Sequence, residues 1–418
     1  MFKIASVFSS NMVLQREKNV SVWGDADNGS IVSIEINGVK SQSVAENGKW
    51  TVVLPPMPAG GPYEMDVFCS CVKDGKEISE SHRFYNVMIG EVWLCGGQSN
   101  MELELQNCKG GKELLETLTP DCNVRFYYTN KCRMVDEELF AAERNSGWSE
   151  AGKDTSRAWS AVGFFFARKL AKDLGVTVGL VGCNWGGTSA SAWMDKETLC
   201  DSKQTVSYVE EYDNAVRGKP IELQIKEYDE YAKGQQEWYE RTQEVYAKEP
   251  NCPWDRILKL CGETKYPGPM NCKNEYRPGG LYETMLMRVC PYTLRGFLYY
   301  QGESDDHKPK SYYRLFTNLI GLWREKWGDD ELPFIMVQLP MFKYEQDPDY
   351  KHWCLIREAQ MRAFKTVKNT GIAVISDCGE FNNIHPVDKV PVGERLCLQA
   401  EKLTYGMDVD AFGPIYKS

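Results

Sequence analysis

The stretch Glu91-Val92-Trp93-Leu94-Cys95-Gly96-Gly97-Gln98-Ser99-Asn100-Met101 decides the fold. Met88-Ile89-Gly90 leads into a largely apolar run with no in–out alternation, which is how a strand buried on both faces of a parallel sheet reads. Two glycines then permit a turn and a close backbone approach. Residues 101–106 are compatible with a helix. A serine at such a strand-to-helix turn has its oxygen raised above the sheet edge, and the N–H groups that follow point into the same space. This is the geometry an acyl-transfer nucleophile needs. It also fits a plain helix N-cap, which uses the same residue type in the same place.

Working outward, the same grammar recurs downstream. Apolar runs lie at 176–181, 294–300, 333–339 and 371–376, and helical patterns lie at 161–173, 312–327 and 355–366. Strands alternating with helices predict βαβ units and a mostly parallel sheet. A charged, helix-compatible excursion at about residues 197–262 interrupts the alternation. Tyr228, Tyr231, Trp238, Tyr239 and Tyr246 fall along one broad side of it. It reads either as a wall or lid over a site or as a solvated helical segment with a few packing aromatics. Upstream, residues 1–88 read as all-β. Short β-forming runs are punctuated by Asn28-Gly29, Asn37-Gly38, Asn47-Gly48 and Ala59-Gly60-Gly61-Pro62. That spacing predicts a small sandwich. Its aromatics fit core packing, with sugar binding as the other reading. The 418 residues therefore divide into a β unit, 1–88, and an α/β unit, 89–418.

Composition narrows the function. Lys and Arg number 49 against 59 Asp and Glu, a net charge of −10, which disfavours nucleic acid and anionic membranes as partners. No apolar run reaches the roughly 18 residues a membrane span needs. The fifteen cysteines are an odd number, and the N-terminus lacks an ordinary signal-peptide core. Together they read as reduced thiols in a cytoplasmic protein, or in a secreted one whose leader has been removed. There is no Cys-x-x-Cys pair and no histidine cluster, so neither a metal nor another cofactor is expected. Cys95 and Cys183 fall at strand ends, where small buried residues suit. Nothing in the sequence sets an oligomeric state.

A serine nucleophile needs a base, and only four histidines are available. His82 falls in or just after the β-rich segment, His307 follows an acidic loop and His352 precedes a helix. His385 differs, because Asn382-Asn383-Ile384-His385-Pro386 follows the last apolar run, at the strand-end rim where open α/β sheets place their sites. Two more turns follow apolar runs: Asn184-Trp185-Gly186-Gly187-Thr188-Ser189 and Tyr300-Gln301-Gly302-Glu303-Ser304-Asp305. Each alone reads as a turn. Four strand ends together would bring a nucleophile, two donor groups and a base to one place.

The ordered set Gly96-Gly97-Gln98-Ser99-Asn100-Met101, Trp185-Gly186-Gly187-Thr188-Ser189, Tyr300-Gln301-Gly302-Glu303-Ser304-Asp305 and Asn383-Ile384-His385-Pro386 resembles the sialate O-acetylesterase-like branch of the SGNH (GDSL-type) hydrolases. Met12-Val13-Leu14-Gln15, Gly48-Lys49-Trp50, Leu322-Trp323-Arg324, Arg357-Glu358-Ala359-Gln360 and Gly393-Glu394-Arg395-Leu396 extend the resemblance over most of residues 8–415. It implies a three-layer α/β/α hydrolase domain with a mostly parallel sheet, preceded by a small jelly-roll-like β-sandwich. It implies deacetylation of sugar hydroxyls without a metal. The substrate would be an acetyl ester of a small sugar or oligosaccharide: 9-O-acetyl sialic acid, or else acetylated xylo- or manno-oligosaccharides. By the same resemblance Ser99 is the nucleophile and His385 the general acid–base. The oxyanion donors are the Ser99 N–H, the Gly187 N–H and the Gln301 side chain. Gln98, Asn100, Trp185 and Glu303 are candidates for binding substrate. Two departures stand out. Where many relatives carry an Asp to orient the histidine, this chain has Asn382 and Asn383, which leaves Asn382, a more distant Asp377, or no side chain in that role. Where the family block usually ends in Asn, it has Asp305, hence Gln301 as the substitute donor. A non-catalytic sugar-binding protein is the alternative of another class, and a hydrolysis assay separates the two.

Overall fold

The computed structural model describes residues 2–73, 76–250, 252–343 and 351–415; within the predicted second unit, 344–350 and 416–418 lie outside the described residues. The chain is α/β, built around a large mixed sheet. Its central strands are β1 (Lys76–Gly97), β2 (Val124–Tyr128), β3 (Ser149–Glu150), β4 (Val178–Asn184), β5 (Gly296–Tyr300), β6 (Phe334–Gln338) and β7 (Thr370–Val374), in the spatial order β3-β2-β4-β1-β5-β6-β7. Every neighbouring pair is parallel except β3, which runs antiparallel to β2. Every residue of β4, β5 and β6 is buried, which is why these strands read as continuous apolar runs.

Among its helices are α1 (Ser99–Glu102), α2 (Ala161–Leu174), α3 (Val206–Val216), α4 (Ile221–Lys248), α5 (Trp254–Cys261), α6 (Pro309–Trp327), α7 (Lys351–Thr366) and α8 (Val390–Leu403). Helix α2 starts where the Ser160 hydroxyl accepts from the Gly163 N–H at 3.0 Å, and it stops at Gly175 with φ +66°. Helix α8 packs on α2 and on β7, while α6 packs on α7, which in turn lies against β6 and β7. Among the described residues no helix is long and apolar enough to cross a membrane.

In the N-terminal region Val20–Asp25 pairs antiparallel with Lys49–Leu54 and with Lys3–Ile4. Ile31–Ile36 pairs with Val39–Val44 and with Gly60–Lys73. Strand Ile31–Ile36 alternates, burying Val32, Ile34 and Ile36. The turn Asn37-Gly38 has φ of +49° and +74°, the double left-handed geometry of a tight hairpin turn. No linker separates this region from the rest. Strand β1 runs through residues 88 and 89 unbroken, pairing with Gly60–Lys73 over its first part and with β4 and β5 over its last. The junction is closed by the fully buried Glu91. Its carboxylate accepts from Arg16 Nε at 2.6 Å, from Arg295 Nε at 2.8 Å and from Gln15 Nε2 at 3.0 Å.

The excursion is helical, as α3, α4 and α5. Its aromatics do not share one side: Tyr228 is buried and Trp238 meets Trp254 at 5.8 Å between ring centroids, but Tyr239 faces solvent.

Candidate active site

Registry puts the turns together. Gly97 of β1 pairs with Asn184 of β4 on one side and Tyr300 of β5 on the other, so three strands end at one level. The chain runs from β1 away to β2 and returns through β4, then crosses to β5 on the opposite side of β1. Open α/β sheets bind ligands at such a switch point. The three turns are laced by backbone bonds. Gln98 N–H donates to the Tyr300 carbonyl at 3.1 Å, and Trp185 N–H donates to the Gly97 carbonyl at 3.1 Å. Gly97 is required here, because its φ is +134° and a Cβ would lie 2.1 Å from the Tyr300 oxygen.

Ser99 opens α1 and is half-buried. Its Oγ lies 2.8 Å from Nε2 of His385, which sits at the exposed rim on the loop after β7. Protein packed behind the ring lowers the His385 pKa from its ordinary value, with the charge of Lys389 as the second cause and Glu102 opposing both. Both causes favour the neutral, proton-accepting imidazole over the imidazolium. Gly186 lies against Ser99, since a Cβ there would be 3.3 Å from the Ser99 Cβ, and its N–H donates to Glu102 Oε2 at 2.5 Å. The next N–H, that of Gly187 (φ +74°), has no acceptor among the described residues, and neither has that of Ser99.

Gln301 is not free for the oxyanion role that the resemblance implies. Its amide nitrogen donates to the Thr188 carbonyl at 3.2 Å and to Asp305 Oδ2 at 2.6 Å, which uses both hydrogens. The cause is Asp305. Fully buried, it gathers donors from Ser189 Oγ (2.6 Å), Ala190 N (2.9 Å) and Tyr208 OH (2.8 Å) as well. Asp377 does not reach His385 either. It pairs with Arg395 at 2.6 and 2.7 Å, and that bond holds its carboxyl well below the usual range. Asn382 is exposed on the loop and makes no bond to the ring. Among the described residues no side chain orients His385 Nδ1.

Of the expected substrate contacts, Trp185 is half-buried at the site surface, but Gln98, Asn100 and Glu303 are buried beneath it. The Gln98 side-chain Oε1 accepts from Gly302 N (3.4 Å) and Ser304 N (3.2 Å). Asn100 donates to Glu303 Oε1 at 2.6 Å and to the Ile384 carbonyl at 2.9 Å, and accepts from the buried Lys389 at 2.6 Å. These residues hold the turns in place. Lys389 was missed because nothing local marks a lysine as buried; its position four residues after His385 was the available signal.

Two features flank the dyad. A cavity of about 350 Å³ opens beside Gly187 and Ser304, lined further by Tyr276, Tyr212, Glu211 and His307. On another side, the guanidinium of Arg133 lies 5.3 Å from the ring centroids of both Trp185 and Tyr228. Its Nε donates to Tyr228 OH (2.9 Å) and Glu275 (3.1 Å), and its Nη1 has no partner among the described residues. Lys131, on the same loop, pairs with Glu102. The excursion thus reaches Arg133 through the buried Tyr228.

Comparison with known proteins identifies the family. Residues 89–224 and 270–397 match the family described as carbohydrate esterase, sialic acid-specific acetylesterase. The chain is 30% identical over 450 residues to the mouse sialate O-acetylesterase, covering all of this chain and 76% of that one. It is 29% identical over 440 residues to the human protein of the same name, covering 97% and 71%. A crystal structure of a carbohydrate acetylesterase from Xanthomonas citri superposes with a TM-score of 0.74 at 27% identity, covering all of this chain and 78% of the other. The chain belongs to the sialic acid-specific acetylesterase family of carbohydrate esterases.

Proposed function

We propose that this protein is a serine-dependent carbohydrate O-acetylesterase working through a Ser99–His385 dyad, with 9-O-acetyl sialic acid as its substrate. The frame proposed for it is the three-layer α/β/α SGNH hydrolase, with residues 1–88 as a β-sandwich unit. The observation that carries the reading is the 2.8 Å contact between Ser99 Oγ and His385 Nε2 at the strand-end switch point. In the reaction, Ser99 Oγ attacks the acetyl carbonyl carbon while His385 Nε2 takes its proton. The carbonyl oxygen becomes an oxyanion, stabilised by the unpartnered N–H groups of Ser99 and Gly187. His385 then gives the proton to the departing sugar oxygen, leaving an acetyl-enzyme. Water, deprotonated by the same ring, attacks the acetyl carbon; the bond from that carbon to Ser99 Oγ breaks, His385 returns the proton to Oγ, and acetate leaves. Ser99→Ala should lower acetate release by at least ~10³-fold with the fold unchanged. Full activity in that variant would overturn the serine mechanism, whereas absence of acetate release from the native protein would leave the sugar-binding alternative.

The choice of a sialate over neutral sugars rests on Arg133. A sialate carries a carboxylate that acetylated xylo- and manno-oligosaccharides lack, and a guanidinium with a free N–H face at the site rim suits it. Arg133→Ala should raise KM for acetylated sialic acid roughly tenfold and leave acetylated xylo-oligosaccharide turnover unchanged. Equal loss on both substrates would overturn the sialate assignment and leave the esterase assignment standing.

A further inference from the structure

Among the described residues no side chain meets His385 Nδ1, yet the ring is aimed at Ser99. The loop that carries it is pinned from beneath. Asn100, the residue after the nucleophile, donates to the carbonyl of Ile384, the residue before the base. The same amide nitrogen donates to Glu303 Oε1, and its oxygen receives Lys389 Nζ. An ammonium only donates and a carboxylate only accepts, so Lys389 on one side and Glu303 on the other fix which way the Asn100 amide faces. That orientation presents the N–H to Ile384.

We propose that Lys389 is a positioning residue of the catalytic dyad: through Asn100 it clamps the Ile384 carbonyl and so aims the His385 ring at Ser99, the task a triad carboxylate performs elsewhere. The inference rests on the Ser99–His385 reading above. Lys389, Asn100 and Glu303 are 1%, 1% and 6% exposed, and Glu303 Oε2 has no hydrogen-bond partner, so the bridge is sealed from water. Burial lowers the Lys389 pKa to about 8, opposed by Glu303, and raises that of Glu303. Besides Glu303, Lys389 faces Glu380, Cys378 and Cys108, and the ring of Tyr300 at 5.2 Å. His385 is faced by Lys389 and Glu102. In the range where the base titrates, Lys389 carries its charge, and a positive neighbour disfavours the imidazolium. A carboxylate orienter would do the reverse. The acid limb of kcat/KM in the native enzyme should therefore lie below the ordinary histidine value of about 6.5.

The test is Lys389→Met, assayed on a soluble acetyl ester between pH 5 and 8, with circular dichroism to check the fold. We expect kcat to fall roughly 10–100-fold with KM nearly unchanged. The acid limb should move up by roughly half a pH unit, because the charge that opposed protonation is gone. A merely structural role would not move that limb. If the single variant does not fold because Glu303 is left uncompensated, Lys389→Met with Glu303→Gln removes both charges and is read the same way. An acid limb at the native position in the folded variant overturns the proposal. Loss of activity in Ser99→Ala beside a native-like Lys389→Met would overturn this inference alone. Full activity in Ser99→Ala would overturn the dyad it rests on.

Discussion

At residue scale the site separates two kinds of carboxylate that look alike in sequence. Asp377 and Asp305 both stand near motif residues. The first is held by Arg395 and the second by four donors of its own, so neither is available to the histidine. In a triad, losing the orienting carboxylate costs about 10⁴ in rate. Here Asp377→Asn and Asn382→Ala should each stay within about threefold of native kcat/KM, measured as acetate release at neutral pH. A thousandfold loss in either would mean that the group does act on His385. Burial also pushes the thiols of Cys95 and Cys183 well above their ordinary value, so they pack at the strand ends as inert small groups.

At the scale of elements, what matters is that β1, β4 and β5 end together. Ser99 and Gly187, the nucleophile and donor proposed above, sit on the turns after β1 and β4, which the pairing of Gly97 with Asn184 makes neighbours; Tyr300 closes the other side, and His385 arrives from the loop after β7. Gly97→Ala tests this. The added methyl meets the Tyr300 carbonyl oxygen in a backbone conformation that alanine rarely adopts. We expect a loss of roughly 2–4 kcal/mol in unfolding free energy by denaturant titration. Acetate release should fall further than stability alone explains, because the nucleophile turn shifts. Native stability and rate would refute the role given to this register. Strand β2 shows what the apolar pattern misses. Arg125 interrupts Val124–Tyr128, but it is buried, donating to the Asn11 carbonyl at 3.0 Å and to Glu150 at 3.0 Å, so the strand is as interior as its neighbours.

For the whole molecule, the N-terminal strands and the central sheet share one long strand and one buried ion cluster. Glu91 is sealed from solvent, whereas Arg16 and Arg295 are partly exposed. Removing its charge strands two guanidinium groups at the junction. Glu91→Ala should cost roughly 2–4 kcal/mol, below the largest values for fully buried pairs because water reaches the arginines. Differential scanning calorimetry reads the loss as a lowered Tm. An unchanged Tm would mean that the shared strand holds the two regions together without the cluster.

Periodicity and turn chemistry by themselves determined the α/β alternation. Buried strands must be apolar throughout, and paired left-handed turns call for Asn-Gly, as at Asn37-Gly38. Motif position likewise singled out Ser99 and His385, because strand ends are where the backbone can present donors and nucleophiles, and the family resemblance pointed to Gly187. What only the tertiary structure decided is which polar groups are already spent. Gln301, Asp377 and Glu303 were plausible as free donors or acceptors until their partners were known: Thr188 and nearby Asp305 for the first, Arg395 for the second and Asn100 for the third. The part played by Lys389 was invisible for the same reason: a lysine becomes a buried positioning group only when chain far away in sequence closes over it.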